Sequence, residues 1–126
     1  MSGATHPVQD EPEARRVRGR TSRYSGAKWS LVTDEVELHD QVVVTRDVVI
    51  HPGAVGIVAL DELEHVVVVR QYRRPVGASR WELPAGLLDE PDESPQRAAE
   101  RELFEEAHLQ ADRWHLLVDL YSSPGM

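Results

Sequence analysis

The sequence predicts an α/β (α+β) fold on three observations. Segments rich in Val and Thr, separated by turn signals, fill most of residues 28–83. One stretch, residues 94–107, carries helix signals from its N-cap to its buried stripe. The chain has 126 residues, enough for one small domain with a modest core and too few for two.

Residues 1–22 read as a flexible basic arm, with few large apolar side chains and the run Arg15-Arg16-Val17-Arg18-Gly19-Arg20. Residues 28–38 and 41–50 read as two strands with a tight reversal at His39-Asp40, and residues 23–50 are taken as an N-terminal β extension. His51-Pro52-Gly53 breaks that pair from a core spanning 51–126. Within it, 54–60 and 65–72 read as a hairpin around Asp61-Glu62-Leu63-Glu64, their apolar runs implying cover on both faces. Residues 80–83 form a short strand ending at Pro84. In the helix, Ser94 is the N-cap and Pro95 the first residue, with Ala99, Leu103 and Ala107 buried and Phe104 at the stripe's edge. Residues 113–120 read as a further strand.

Composition removes several function classes. No cysteine is present, which excludes disulfide scaffolds, zinc–thiolate sites and cysteine nucleophiles. The longest wholly apolar runs span only a few residues, such as Val66–Val69, so neither a membrane span nor a signal-peptide core is expected. A hydrophobic fraction of 40% argues against global disorder, and a soluble cytoplasmic domain is the default. The formal net charge is −8. Residues 1–23 hold five Arg against three acids, a net of +2, leaving −10 on the rest. A nucleic-acid surface needs the opposite balance, so no nucleic acid and no membrane is expected as a partner. The six His show no paired metal spacing, Ser79, Ser122 and Ser123 lack a nucleophile context, and there is no phosphate loop.

The acids are crowded: nine of 22 fall between Glu82 and Glu106. At about 100° per residue, Glu102, Glu105 and Glu106 share roughly one 100° arc of the helix, with Ala98 one turn earlier leaving open space. Like charges at i,i+4 cost a few tenths of a kcal/mol per pair. Hard divalent cations take carboxylate and carbonyl oxygens. By itself the helix reads more readily as a wet acidic face.

The residues before it decide between the two. Trp81-Glu82-Leu83-Pro84-Ala85-Gly86 leads a strand into a Gly turn, and Glu93 stands eight residues before Arg101 in Arg101-Glu102-Leu103-Phe104-Glu105-Glu106, with Leu109 closing the pattern. This arrangement resembles the Nudix box of the Nudix hydrolases. It departs twice: six residues rather than five separate Gly86 from Glu93, so that rigid alignment falls on Asp92, and the box's final Gly is His108. Arg46-Asp47-Val48-Val49, Val69-Arg70-Gln71-Tyr72-Arg73 and Pro124 resemble the ADP-ribose pyrophosphatase branch, over roughly residues 29–126.

The resemblance implies a Nudix α/β/α sandwich on a mixed sheet and Mg²⁺-dependent hydrolysis of a nucleoside diphosphate-X compound. ADP-ribose, cleaved to AMP and ribose 5-phosphate, is the expected substrate; a GDP-mannose type of nucleotide sugar and a catalytically inactive nucleotide-binding module are the alternatives. It makes Glu102 and Glu106 the principal metal ligands, Glu105 a further one directly or through water, and the Ala85 carbonyl the last, with Mn²⁺ able to replace Mg²⁺. Gly86, Glu93 and Arg101 become structural, the last two as an ion pair. Arg46 and Arg73 match positions contacting substrate phosphates and ribose, and Trp29 one that stacks on adenine. It further implies a homodimer through residues 23–50, and a catalytic base, more strands and a second helix beyond residue 126.

Overall fold

A computed structural model describes residues 9–39 and 41–125. The chain divides into two compact units between Ile50 and His51. The class is α+β, with seven strands and one α-helix among the described residues.

The first unit is an antiparallel sheet in the order β1 (Arg16–Ser25), β2 (Ser30–Glu37), β3 (Val43–Ile50). The sequence reads residues 16–22 as part of a loose arm; they are instead most of an edge strand. β1 lacks the apolar alternation that announces a strand because its cross-strand partners are charged. Arg18 Nε donates to Glu37 at 2.9 Å, and Arg20 grips Asp34 through Nε and Nη2, both at 2.7 Å. Arg23 Nε donates to Thr33 Oγ1, whose hydroxyl donates to Asp47 Oδ1, so one chain of hydrogen bonds crosses all three strands. β2 is central and turns Val32 and Asp34 to one buried face, two residues apart as a pleated strand requires. Asp40, half of the expected His39-Asp40 reversal, lies outside the described residues; beside it Val42 N–H donates to the His39 carbonyl and Leu38 N–H to that of Val42.

In the second unit, β4 (Ala54–Gly56) pairs antiparallel with β7 (Ala85–Leu87), and β5 (Val69–Arg73) with β6 (Ala78–Glu82). A single turn of 3-10 helix, Arg74–Val76, closes the second pair, and Gly77 at φ 61° ends it. The helix α1 (Pro95–Ala107) packs on β4 and β7. Ile57, Ala99 and Leu103 form the buried centre, with Val55, Ala59, Ala107 and Trp114 partly covering it.

Three local expectations change here. The hairpin at Asp61 is real in its turn, where Asp61 Oδ1 accepts from the N–H groups of Leu63 and His65 at 2.8 and 2.9 Å. Its arms, however, meet through a bridge between Leu60 and Val66, while β4 takes β7 and β5 takes β6. Both faces are not covered either, since Val58, Leu60, Val66 and Val68 are exposed. Residues 113–120 form no strand: an extended segment needs a ladder partner, and among the described residues none pairs with it. Leu116 and Leu117 keep 86% and 76% of their surface exposed, although Trp114 packs on the core and its Nε1 donates to the Ala111 carbonyl at 3.2 Å. Ala98 does not face open space but is fully buried, and of the acidic arc Glu102 and Glu106 are half-buried while Glu105 is exposed.

The Arg20 guanidinium holds the buried Asp34 carboxyl below the usual carboxylate range, chiefly by hydrogen bonding. A carboxylate with a depressed folded value stabilises fully above its unfolded value, about 3.9. That contribution is lost as pH falls through the lower folded value. Asp34→Asn is therefore expected to melt lower than the parent near neutral pH. The gap should close as the pH is lowered towards about 2, as followed by circular dichroism; a gap independent of pH would show that the charge of Asp34 is not what matters.

Candidate active site

The site is organised by α1. Ser94 caps it in extended conformation, its side chain accepting from Arg97 N–H at 3.3 Å and its carbonyl from Ala98 N–H at 3.0 Å. Pro95 sits where its missing N–H costs nothing. At the other end His108 takes the left-handed conformation, φ 56° and ψ 34°, and its N–H donates to the Phe104 carbonyl. A non-glycine residue there costs about 1 kcal/mol. The helix thus ends at the box's glycine position with His in its place.

Arg101 is the hub of the charged face. Its Nε and Nη2 donate to Glu93 Oε1 and Oε2 at 3.1 and 2.9 Å, a two-point pairing of planar groups. Its Nη1 donates to Glu102 Oε1 at 2.6 Å and lies 3.5 Å from Glu105 Oε2. The guanidinium beside Glu93 holds that carboxyl below the usual range, mainly through the hydrogen bonds, while Arg101 itself is pushed above its ordinary value, first by Glu93 and then by Glu102. Asp92, which a rigid alignment would select, instead sits at φ 62° and exposed. The extra loop residue is taken up by that left-handed turn, and Glu93 reaches Arg101.

Strand β7 supplies the opposing wall. A Cβ added to Gly86 would fall on the Glu102 carboxylate, so the missing side chain is the space that Glu102 occupies. One residue earlier, Ala85 N–H donates to Glu106 Oε2 at 3.0 Å. Gln71 on β5, which the sequence does not single out, donates from Nε2 to the other oxygen, Glu106 Oε1. Its hints in the sequence are its place in Val69-Arg70-Gln71-Tyr72-Arg73 and its alternation with Val69 and Arg73 on one strand face. Glu102 thus lies against Gly86 and Glu106 against Ala85, both half-buried, while Glu105 stays exposed.

The remaining predicted residues are placed as follows. Arg73 donates from Nε and Nη2 to Glu82 Oε2 at 2.9 and 2.5 Å, across the β5–β6 pair, which raises the Arg73 value and lowers that of Glu82. Trp29 and Arg46 belong to the first unit. Trp29 is half-exposed and stacks at a tilt on Tyr24, ring centroids 5.2 Å apart; Arg46, opposite Asp34 on β3, donates to the Thr45 carbonyl.

Among the described residues no three His, Asp or Glu side chains already form a metal cage. The carboxylates of α1 are engaged by Arg101, Gln71 and Ala85 N–H instead. Their chemistry nevertheless fits a hard divalent cation: all donors are oxygens, two carboxylates converge on Ala85-Gly86, and each oxygen bound by one N–H retains a lone pair.

A family model described as the NUDIX domain matches residues 50–125. Over 102 residues, 81% of this chain, the sequence is 49% identical to an ADP-ribose pyrophosphatase of Mycobacterium tuberculosis and covers 49% of that protein. Over the same share it is 39% identical to a methanol dehydrogenase activator of Bacillus methanolicus and 35% identical to an ADP-ribose pyrophosphatase of Bacillus subtilis, covering 55% of each. The chain therefore spans about half the length of the curated relatives it matches. A crystal structure of an ADP compounds hydrolase superposes with a TM-score of 0.74 at 22% identity, over 93% of this chain and 63% of that one, a likeness of fold.

Because Arg101 and Glu93 act as one pair, replacing either by Ala should loosen the loop from Gly86 to Glu93. The double variant should cost about as much as the worse single one, a coupling of about 0.5–3 kcal/mol in denaturant unfolding. Additive losses would show that the two side chains do not meet in solution.

Proposed function

The chain belongs to the Nudix family, and on that premise we propose that the full-length protein hydrolyses the pyrophosphate bond of a nucleoside diphosphate-X compound, with ADP-ribose and water giving AMP and ribose 5-phosphate. The observation that carries this reading is the meeting of Glu102 and Glu106 at Ala85-Gly86. The names of the Mycobacterium tuberculosis and Bacillus subtilis relatives support the choice of substrate.

Glu102, Glu106, the Ala85 carbonyl and, directly or through water, Glu105 are the residues to hold Mg²⁺ or Mn²⁺. A divalent ion bound there neutralises charge on the pyrophosphate and makes water a better nucleophile at neutral pH. The chain's own work is to hold these oxygens still. Arg101 fixes Glu102 from one side and ties the Glu93 loop to α1 from the other. Ala85 N–H and Gln71 fix both oxygens of Glu106. Arg73, already anchored on Glu82, presents cationic charge on the β5–β6 pair towards the substrate's phosphates, and we assign Arg46 and Trp29 to the substrate as well.

The first unit supports a two-fold homodimer. β1 and β3 are edge strands carrying half-exposed Val17, Tyr24, Val43 and Ile50, and such edges are ordinarily paired or covered. No helix among the described residues is long and apolar enough to cross a membrane.

The test is AMP release from ADP-ribose by the full-length protein, run beside GDP-mannose. Glu106→Gln should remove Mg²⁺-dependent turnover by more than about 100-fold while the fold persists. Undiminished turnover would refute the site, turnover of GDP-mannose alone would refute the substrate, and nucleotide binding without AMP release would leave a binding module. Sedimentation at micromolar concentration should show a dimer, with Trp29→Ala raising KM more than it lowers kcat; a monomer would refute the homodimer.

A further inference from the structure

Gln71 lies on β5 with its amide turned to α1. β5 places Val69, Gln71 and Arg73 on one face, two residues apart. Arg73 is committed to Glu82 across the strand pair. Gln71 is then the polar group of that face directed at the helix, and its Nε2 donates to Glu106 Oε1. The other oxygen of the same carboxylate accepts from Ala85 N–H. Glu106 is thereby held at both oxygens by donors on two strands.

The chemical character of these two donors matters. Both are neutral amides. An Arg or Lys in the place of Gln71 would neutralise Glu106 and compete with a cation for it. An amide fixes the carboxylate plane and leaves its charge intact. Each oxygen keeps a lone pair, since an ionised carboxylate offers about four acceptor sites and two are used. Glu102 is held differently, by a cation at one oxygen. The site thus contains one carboxylate hydrogen-bonded by a guanidinium and one hydrogen-bonded by neutral amides, with the Arg73 guanidinium acting on the latter's charge only from a distance.

We propose that Gln71 is a positioning residue for the metal-binding carboxylate of Glu106, orienting it for a divalent cation without taking its charge. This deepens the reading of the site as a Nudix metal centre and rests on it. Groups that orient a metal's ligands typically contribute ten- to hundredfold in metal affinity. A Gln that merely filled space between β5 and α1 would contribute to stability instead.

The experiment is titration of Mn²⁺, followed by electron paramagnetic resonance, into the full-length protein and its Gln71→Leu and Gln71→Met variants. The second variant preserves the unbranched shape should Leu disturb the packing. Both should bind Mn²⁺ about ten- to hundredfold more weakly, with metal-free melting temperatures close to the parent's. In a Glu106→Gln background, where the carboxylate is gone, Gln71→Leu should change Mn²⁺ affinity by less than about twofold. Unchanged affinity in a parent that does bind Mn²⁺ would overturn the role of Gln71 and leave the metal centre standing, as would an equal loss in both backgrounds. A parent that binds no Mn²⁺ would overturn both.

Discussion

The close approach of β7 to α1 at Gly86 is the constraint on which the site depends. Ala98 is buried one turn before the acidic arc, and Glu102 and Glu106 of that arc lie half-buried against protein. The Glu102 carboxylate fills the room that any side chain at Gly86 would claim, and Glu106 takes the neighbouring N–H of Ala85. Two carboxylates one helical turn apart are brought to two consecutive residues of a strand. The pairing of β4 with β7, extended by Ile57 N–H to the Pro84 carbonyl at 2.8 Å and Leu88 N–H to that of Gly53 at 3.1 Å, fixes the strand in turn.

Such crowding carries an electrostatic cost that the structure distributes. Glu102 and Glu106 stand at i,i+4, where like charges repel by a few tenths of a kcal/mol on an open helix and more where water is thinner. Arg101 offsets part of this and uses its remaining nitrogens to hold Glu93, so the same side chain that relieves the helix also closes the loop over its N-terminal half. At Glu106 two amides orient the carboxylate, and the Arg73 guanidinium acts on its charge without a hydrogen bond to it.

How much of this was legible in the sequence depended on how local each signal was. The bounds of α1 were readable because Ser94 and Pro95 are sufficient causes of a helix start. The acidic arc followed from spacing, although its burial did not: Ala98 gives no sign of whether it faces water or a strand. β1 was not readable, because its stability comes from Arg18 and Arg20 meeting Glu37 and Asp34 across a ladder, and charged residues in isolation read as an arm. β4 with β7 was not readable either, since that pairing joins residues some thirty apart through backbone bonds alone. Residues 113–120 had strand composition without a partner among the described residues, and composition cannot supply one. Asp92 and Glu93 were ambiguous until the left-handed turn at Asp92 showed which carboxylate reaches Arg101. Gln71 stood within Val69-Arg70-Gln71-Tyr72-Arg73, but nothing in that run showed that its amide would reach Glu106.

If the site exists because Gly86 has no side chain, a single methyl group should disable it without unfolding the protein. A Cβ at that position falls on the Glu102 carboxylate and its Cγ, so that side chain must move away from β7. The decisive measurement is calorimetric titration of Mg²⁺ into the full-length protein and its Gly86→Ala variant, with circular dichroism confirming equal secondary structure. The account predicts that the variant is folded and binds Mg²⁺ at least about tenfold more weakly. A folded Gly86→Ala protein that binds Mg²⁺ as tightly as its parent would contradict it.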